Sequence, residues 1–510
     1  MLDANAAKYN FRNAGLWSAA RAVPDAAGMS LSSRHIGDRV HQFRVFAQIL
    51  PECHTGRVSK FSPKRSTLGN RARSGGGGRW ENWGGNVTAE PSRWVRPRSE
   101  REIIDAVSAA AVSEQRVKAV GSGHSFTAVA KAPEVLVDLS EYVGVVAVDH
   151  DTKRVRVRSG TPLRQINREL DGSGLALANM GDIAYQTIAG AISTGTHGTG
   201  RSLGGIAPQV VGFRLVDGTG VVHNCVLDGE NHDIAHHGRV GLGALGLLSE
   251  VTIQAVPSFS LHAVNEPMKV DKLLDNLDTL VDTNDHFEFF WVPHTKWALT
   301  KRNNRTAEPL RPRPKATSLI NDYLLENAAF GAVCKLGQRA PSLIPRLATA
   351  LPSSGVVDYV DRSFEVFASP RFVKFLEQEY SVPVAALPDA LREVMAMVDR
   401  VGHKISFPVE VRFTPADDLA LSTSTARASA YIAVHMTKGS PHERYFADVE
   451  AIMDRYQGRP HWGKIHTKNA DQLAPLYPQW QDFLALRRRL DPAGRFTNEY
   501  LNRVLGPIAP

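Results

Sequence analysis

The rhythm of apolar and polar positions changes several times along this chain. After Ser99 the residues Ile103, Ile104, Val107 and Ala111 recur at three- and four-residue steps behind the acid-rich start Glu100-Arg101-Glu102, which predicts an amphipathic helix. A strand-like run, Arg116 to Val120, follows and leads straight into Gly121-Ser122-Gly123-His124-Ser125-Phe126. Further short strands are predicted at Val135 to Leu139, Val145 to Val148, Val155 to Val157 and Leu247 to Ile253. Beyond Pro257 longer helical patterns appear, at Lys272 to Asp282, Arg371 to Tyr380 and Leu387 to Val401, mixed with strand-like runs at Phe407 to Phe413 and Ile432 to Thr437. Strands and helices alternating in this way indicate α+β or α/β packing. The expected organisation is an extension at 1–79, one domain at 80–257 and a second at 258–510.

The extension differs from everything after it. Residues 1–80 carry thirteen Lys or Arg against four acids, which accounts for the whole formal charge of +8 and leaves the remainder close to neutral. The stretch ends in Gly75-Gly76-Gly77-Gly78, so a disordered tail or linker is expected; a transit peptide and a misplaced start codon stay open as alternatives. A basic leader is not a basic enzyme surface, and no nucleic-acid partner is expected. At 43% hydrophobic and 22% charged residues the composition is globular, and runs such as Val143 to Val148 fall far short of the ~20 residues a membrane-spanning helix needs. Cys53, Cys225 and Cys334 are widely separated with no C-x-x-C spacing, so free thiols in a reducing compartment are expected. That places the chain in the cytoplasm, with peripheral membrane attachment left open. No H-E-x-x-H or comparable ligand spacing appears and no metal is expected; a hydrolase is disfavoured by the lack of a G-x-S-x-G elbow. The oligomeric state leaves no mark on the sequence.

The chemistry concentrates in glycine turns. Gly121-Ser122-Gly123 after a strand offers backbone amides that no Cβ shields, a concavity suited to a pyrophosphate. The nicotinamide fingerprint G-x-G-x-x-G fails because Phe126 stands where its third glycine belongs. A second turn, Thr194-Gly195-Thr196-His197-Gly198-Thr199-Gly200, and a third, Gly241 to Gly246, suit an extended cofactor with phosphates, hydroxyls and a flat ring. Glu410 and Arg412 are two apart, so on a strand they share a face, as do His435 and Thr437. By spacing alone the first pair could equally be a surface ion pair and the second ordinary half-buried strand residues.

Five ordered motifs together carry a resemblance: Val120 to Phe126, Gly195 to Gly200, Glu410-Val411-Arg412-Phe413, His461-Trp462-Gly463-Lys464, and Asp491-Pro492 to Phe496 with Asn498 and Tyr500. From about Trp80 to Gly506 the chain resembles the aldonolactone oxidoreductases, the gulonolactone and arabinonolactone oxidases and dehydrogenases among vanillyl-alcohol-oxidase type flavoproteins. The resemblance implies an α+β, two-domain fold: an FAD domain of two α+β subdomains, then a substrate domain whose sheet roofs the flavin and whose C-terminal tail returns to it. It implies FAD bonded covalently through His124, with Val120, Gly121, Ser122, Gly123, Ser125, Thr194, Gly195, His197, Gly198 and Gly246 around the cofactor. On the substrate side it implies Arg412 stabilising negative charge, Glu410 orienting the substrate, Lys464 beside the flavin edge where reduction accumulates charge, and His435 and Thr437 in contact with substrate. The implied reaction is hydride transfer from C2 of a gulono-, galactono- or arabinono-1,4-lactone to the flavin, with O2 or a cytochrome or quinone as final acceptor. An alditol oxidase is the runner-up, and a flavin-binding protein without turnover the third reading.

Overall fold

Among the described residues three sheets have three or more strands, and what each face meets distinguishes them. A computed structural model describes residues 78–313, 334–350, 355–369 and 373–508, all inside one compact unit, so Cys53 and nearly all of the expected extension lie outside the described residues. Numbering only the elements used below, β1 (Arg93–Val95), β2 (Val117–Val120) and β3 (Val135–Asp138) make a parallel sheet in the order β1-β3-β2. Helix α1 (Glu100–Val112) joins β1 to β2, as parallel strands require. It starts where predicted, with Ser99 Oγ accepting from the Glu102 amide at 3.2 Å.

The second sheet is antiparallel, built from β4 (Val145–Asp149), β5 (Arg154–Arg158), β6 (Val210–Val216), β7 (Val222–Val226) and β8 (Leu247–Gln254) in the order β7-β6-β8-β5-β4. Strict alternation in β5 buries Val155 and Val157 and exposes the three arginines. Ile103, Val107 and Ala110 of α1 pack with Val135, Val216 and Leu247, which joins the first two sheets. Helices α2 (Leu163–Gly172) and α3 (Ile188–Ser193) pack with the inward valines of β5.

The third sheet has eight strands: β9 (Ser260–Lys269), β10 (His286–Trp291), β11 (Trp297–Thr306), β12 (Val357–Arg362), β13 (Phe375–Pro383), β14 (Val409–Thr414), β15 (Ser429–Thr437) and β16 (Arg459–Pro460). Their order is β12-β9-β11-β10-β14-β15-β13-β16, every neighbouring pair antiparallel. One face packs Phe287, Phe289, Val411, Ile432 and Tyr380 with α4 (Leu387–Val401) and α5 (Glu443–Arg455). The opposite face is polar yet buried, and the candidate chemistry lies there. From it the chain returns: α6 (Trp480–Leu490) and α7 (Glu499–Leu505) bury Phe483, Leu486, Leu501 and Val504 in the core of the second sheet.

Two predicted helices fail. Lys272 to Asp282 is two short helices, Val270–Asp275 and Leu277–Asp282, broken at Asn276. The run ending at Tyr380 is a strand from Phe375, because its real period is two: Phe375, Glu377, Glu379 and Ser381 face one way, Leu376, Gln378, Tyr380 and Val382 the other. Its acids resemble the solvent face of a helix but are buried. Among the described residues no helix is long and apolar enough to cross a membrane.

Candidate active site

Strand β2 ends at Val120 and the chain turns into a loop in which glycine is needed twice. A Cβ on Gly121 would lie 2.1 Å from Thr187 Oγ1 at the cap of α3, and Gly123 has φ +68°, the left-handed region. Ser122 Oγ donates to the Tyr185 carbonyl at 2.6 Å, the Trp83 amide donates to the Gly123 carbonyl at 2.7 Å, and the Trp83 ring stacks on His124 at 5.7 Å. This loop borders an open cleft that runs on past α3 to Gly243 and Leu247. Of the sequence candidates, Val120, Gly121, Ser122, Gly123, His124, Ser125, Thr194 and Gly246 line it. Lys118, which the sequence did not single out, lines it too, donating to the carbonyls of Gly243 at 2.9 Å and Phe496 at 3.2 Å. Burial, with help from Arg487, pushes its ammonium down to about 7. A long cleft with a side-chain-free turn in its wall fits a dinucleotide whose phosphates meet backbone amides.

Gly195, His197 and Gly198 are outside that cleft, on the segment that crosses to the eight-stranded sheet. There the Gly200 amide donates to the Phe413 carbonyl at 2.8 Å, and His197 stacks on Tyr431 with centroids 3.7 Å apart. Gly198 is tightly placed, since a Cβ would meet the Met180 carbonyl at 2.4 Å.

The fourth motif meets the first through backbone. The Phe126 amide donates to the Gly463 carbonyl at 2.7 Å, and Thr127 Oγ1 to the Trp462 carbonyl at 2.9 Å. The C-terminal motif secures the junction: Tyr500 OH donates to the same Trp462 carbonyl at 2.9 Å, while Asn498 Nδ2 reaches the carbonyls of Ala128, Val129 and Lys131 at 3.0–3.1 Å. Asn498 Oδ1 also caps α7 through the Leu501 amide at 2.9 Å. Lys464 is thereby held 5.5 Å from the centre of the Phe126 ring, near His124.

The polar face of the eight-stranded sheet gathers the remaining candidates. Arg412 Nε donates to Glu288 at 2.8 Å, and the guanidinium also pairs with Glu410 and lies 3.5 Å from Asp182. Lys301 pairs with Glu288 from the neighbouring strand. Lys464 pairs with Glu377 and is 4.0 Å from Glu379. His435 Nε2 is 3.5 Å from Glu377, and its Nδ1 is 3.2 Å from the Pro408 carbonyl, an acceptor that holds the proton on Nδ1. Thr437 Oγ1 is 3.4 Å from Ser406 Oγ. Glu410 and Arg412 are thus a buried pair, not a surface one.

Burial alone would raise these carboxyls, but the cations prevail. Lys301 and Arg412 hold Glu288 down to about 2, and Lys464 with His435 holds Glu377 down to about 2. His197, then Lys464, holds Glu379 far below the carboxylate range. Burial works against Arg412 and Lys464 as well, yet their carboxylates raise both. All five groups are ionised at neutral pH. His124 behaves in the opposite sense: it faces the open cleft and is only half-buried by exposed area, yet surrounding atoms desolvate the ring and, with Lys464 nearby, push it down to about 4. It is therefore neutral at pH 7.

His197, Glu379 and His461 bring potential ligand atoms within 4.8 Å of one another. A metal ion gains little there, because the Lys464 ammonium already compensates Glu379 and His461 Nδ1 already accepts the Gly463 amide at 3.0 Å. His466 belongs to the core, with Nε2 3.0 Å from Tyr500 OH. Cys225 and Cys334 are free thiols, both buried.

Asp182, Glu288, Lys301, Glu377 and Glu379 were not anticipated. A signal existed for two groups: a lone acid inside the apolar run Phe287-Glu288-Phe289-Phe290, and acids at a two-residue step in Phe375 to Ser381.

The chain is similar to known proteins along most of its length. Residues 91–226 match the FAD binding domain family and residues 251–504 the D-arabinono-1,4-lactone oxidase family. The chain is 43% identical to the L-gulono-1,4-lactone dehydrogenase of Mycobacterium tuberculosis over 431 residues, 84% of this chain and 99% of that protein. It is 32% identical to the L-gulonolactone oxidase of Bos taurus, covering 84% and 98%, and 31% identical to an alditol oxidase of Streptomyces, covering 83% and 98%. Among solved structures, a cholesterol oxidase of B. sterolicum shares the fold at TM-score 0.70 and 16% identity, covering 84% of this chain and 97% of that one.

Proposed function

Because this chain belongs to the aldonolactone oxidoreductase family, we propose that it oxidises the C2 carbinol of a sugar 1,4-lactone, using FAD attached covalently through His124. Its class is that of an FAD-dependent oxidoreductase acting on CH–OH groups. Residues 80–257 form the FAD domain in this reading, and residues 258–510 the substrate domain, whose tail returns to the cofactor.

Bound FAD supplies a two-electron acceptor for the hydride of the substrate carbon. The protein supplies placement and charge. Val120 to Ser125, Thr194 and Gly246 hold the cofactor along the cleft they line, and Gly195, His197 and Gly198 follow on the segment that leads from it to the eight-stranded sheet. Burial keeps the His124 imidazole neutral, the nucleophilic form that a covalent bond to carbon needs. Arg412 stays charged and stabilises the oxygen that gains negative charge as the hydroxyl proton leaves; such preorganised charge is commonly the largest catalytic contribution. Glu410 orients the substrate beside it. His435, held through Nδ1 by the Pro408 carbonyl and through Nε2 beside Glu377, contacts the substrate, with Thr437 two positions along the same face. Lys464 carries positive charge toward the cofactor edge where electrons arrive.

The observation that carries this reading is the backbone junction between Phe126 and Gly463, which brings the His124 loop and Lys464 together across the sequence. The test is anaerobic flavin absorbance with gulono-, galactono- and arabinono-1,4-lactones, and with xylitol and sorbitol. Bleaching by a lactone is expected. Bleaching by alditols alone would transfer the chain to the alditol-oxidising branch. Admitting air to the bleached protein then separates O2 from a cytochrome or quinone as acceptor.

A further inference from the structure

A second, smaller cavity lies beside Arg412, between the Met180 segment, β10 and β11. Arg412, Glu288 and Lys301 line one part of it, so it adjoins the charged face described above. Three further side chains in its wall each carry a polar atom with no partner among the described residues: Asn179 Oδ1, His286 Nε2 and Asn303 Oδ1. These residues are 1%, 0% and 4% exposed. Buried polar atoms without partners are rare and costly, and three in one cavity point to an occupant.

The chemistry of that occupant follows from the orphaned atoms. His286 Nδ1 is 2.9 Å from the Thr199 carbonyl and donates to it, which leaves Nε2 as a bare acceptor. Asn179 Nδ2 donates to the carbonyls of Leu203 and Gly204 at 3.2 and 3.1 Å, which fixes the amide and leaves Oδ1 as an acceptor. His286 and Asn303 are register partners across β10 and β11, so two acceptors stand side by side, one step from the Glu288 and Lys301 pair on the same face. A ligand here must bring donors, and it must be neutral, since Arg412 and Lys301 balance Glu288 and Asp182 around the same space and leave no net charge for an ion to pair with. Hydroxyl groups on a short carbon chain meet both conditions, and Val366 and Phe367 offer an apolar wall for its C–H groups.

We propose that this cavity is the subsite for the exocyclic hydroxyl arm of the lactone, and that it selects substrates by the number of carbons beyond the ring. This rests on the lactone reading above. Ring C2 sits by Arg412 and the arm enters between Asn303, His286 and Asn179. A threono-1,4-lactone has no exocyclic carbon, an arabinono-1,4-lactone one and a gulono-1,4-lactone two, so this series measures occupancy of the cavity directly.

The experiment compares kcat/KM for the three lactones in the FAD-loaded wild type and in Asn303→Ala, with flavin content read from absorbance. The ratio of gulono- to threonolactone efficiency is expected to fall about tenfold, mainly through KM, the loss from one unmade hydrogen bond of about 1.4 kcal/mol. Because the ratio comes from one protein preparation, partial misfolding cancels. A second variant, Val366→Leu, keeps every acceptor and only takes up space; it is expected to lower the same ratio. An equal loss for all three lactones in both variants would overturn the subsite, as would loss of FAD content, which would give the cavity to the cofactor. If no lactone bleaches the wild-type flavin, the lactone reading falls and takes the subsite with it; lactone turnover with unchanged ratios removes the subsite alone.

Discussion

Glu288 joins two cations that would otherwise repel, and removing its charge should cost more than removing either pairing suggests. It is 5% exposed, accepts from Arg412 Nε at 2.8 Å and pairs with Lys301. Arg412 has other carboxylates, Glu410 and Asp182, whereas Glu288 is the one carboxylate paired with Lys301 among the described residues. Glu288→Gln keeps the shape and leaves Lys301 buried without its counter-charge, a change that typically costs about 3–5 kcal/mol. Its proton linkage points the same way. The two cations hold the folded carboxyl at about 2 against an ordinary 4.5, so its contribution is present above pH 4.5 and lost as pH falls toward 2; the difference is about 3 kcal/mol. Lys301→Met should cost less, about 1–2 kcal/mol, because Glu288 keeps a charge-assisted bond to Arg412. In the double variant the two costs should not add. The assay is urea unfolding of the FAD-saturated protein at pH 7, with an unchanged m-value required for comparison. If Glu288→Gln shifts the midpoint no more than Lys301→Met, Glu288 is not the bridge this argument makes it.

Arg412→Ala is expected to cut turnover by at least about a hundredfold while FAD stays bound; near-normal turnover would sink its assignment. His124→Ala should release flavin into the supernatant on acid precipitation, and a yellow pellet would refute the covalent bond. Asn498→Ala loses three carbonyl contacts and the cap of α7 together, so a destabilisation of about 2–4 kcal/mol is expected by urea unfolding, with a change below about 0.5 kcal/mol counting against the junction. Acid should weaken the fold in two windows. Burial holds His461 at about 4 and His466 at about 3 against 6.5, so the folded state resists protonation: their stability is intact above pH 6.5 and falls as pH drops toward 4. Loss from Glu288 and Glu377 follows between pH 4.5 and 2, and His466→Gln should flatten the upper window of a stability-against-pH curve.

How much of this was readable beforehand depends on the range of the interaction. The start of α1, the turn at Gly121 to Ser125 and the shared face of Glu410 and Arg412 are local, fixed by caps, φ angles and a two-residue period, and all three could be read from the chain. Strand β13 could not, because Glu377 and Glu379 look solvated until Lys464, His435 and His197 arrive from distant segments to neutralise them. The same holds for Glu288, whose burial makes sense only beside Lys301 and Arg412. A propensity argument places charge on the outside; here one sheet face places it inside and balances it strand by strand.

That balance bears on how the site works. Each cation assigned to chemistry is held by acids on the strands around it: Arg412 by Glu410, Glu288 and Asp182, Lys464 by Glu377 with Glu379 near. Neither is left free to seek solvent, so each keeps its position as charge develops during the reaction, and little reorganisation is needed at that moment. The acids also lower the net positive charge that substrate meets. A neutral lactone enters such a pocket without penalty, while the carboxylate of its hydrolysed form would face Glu288, Glu377, Glu379 and Glu410 together. In the proposed reaction, discrimination between ring and opened acid then comes from the same carboxylates that hold Arg412 and Lys464 in place.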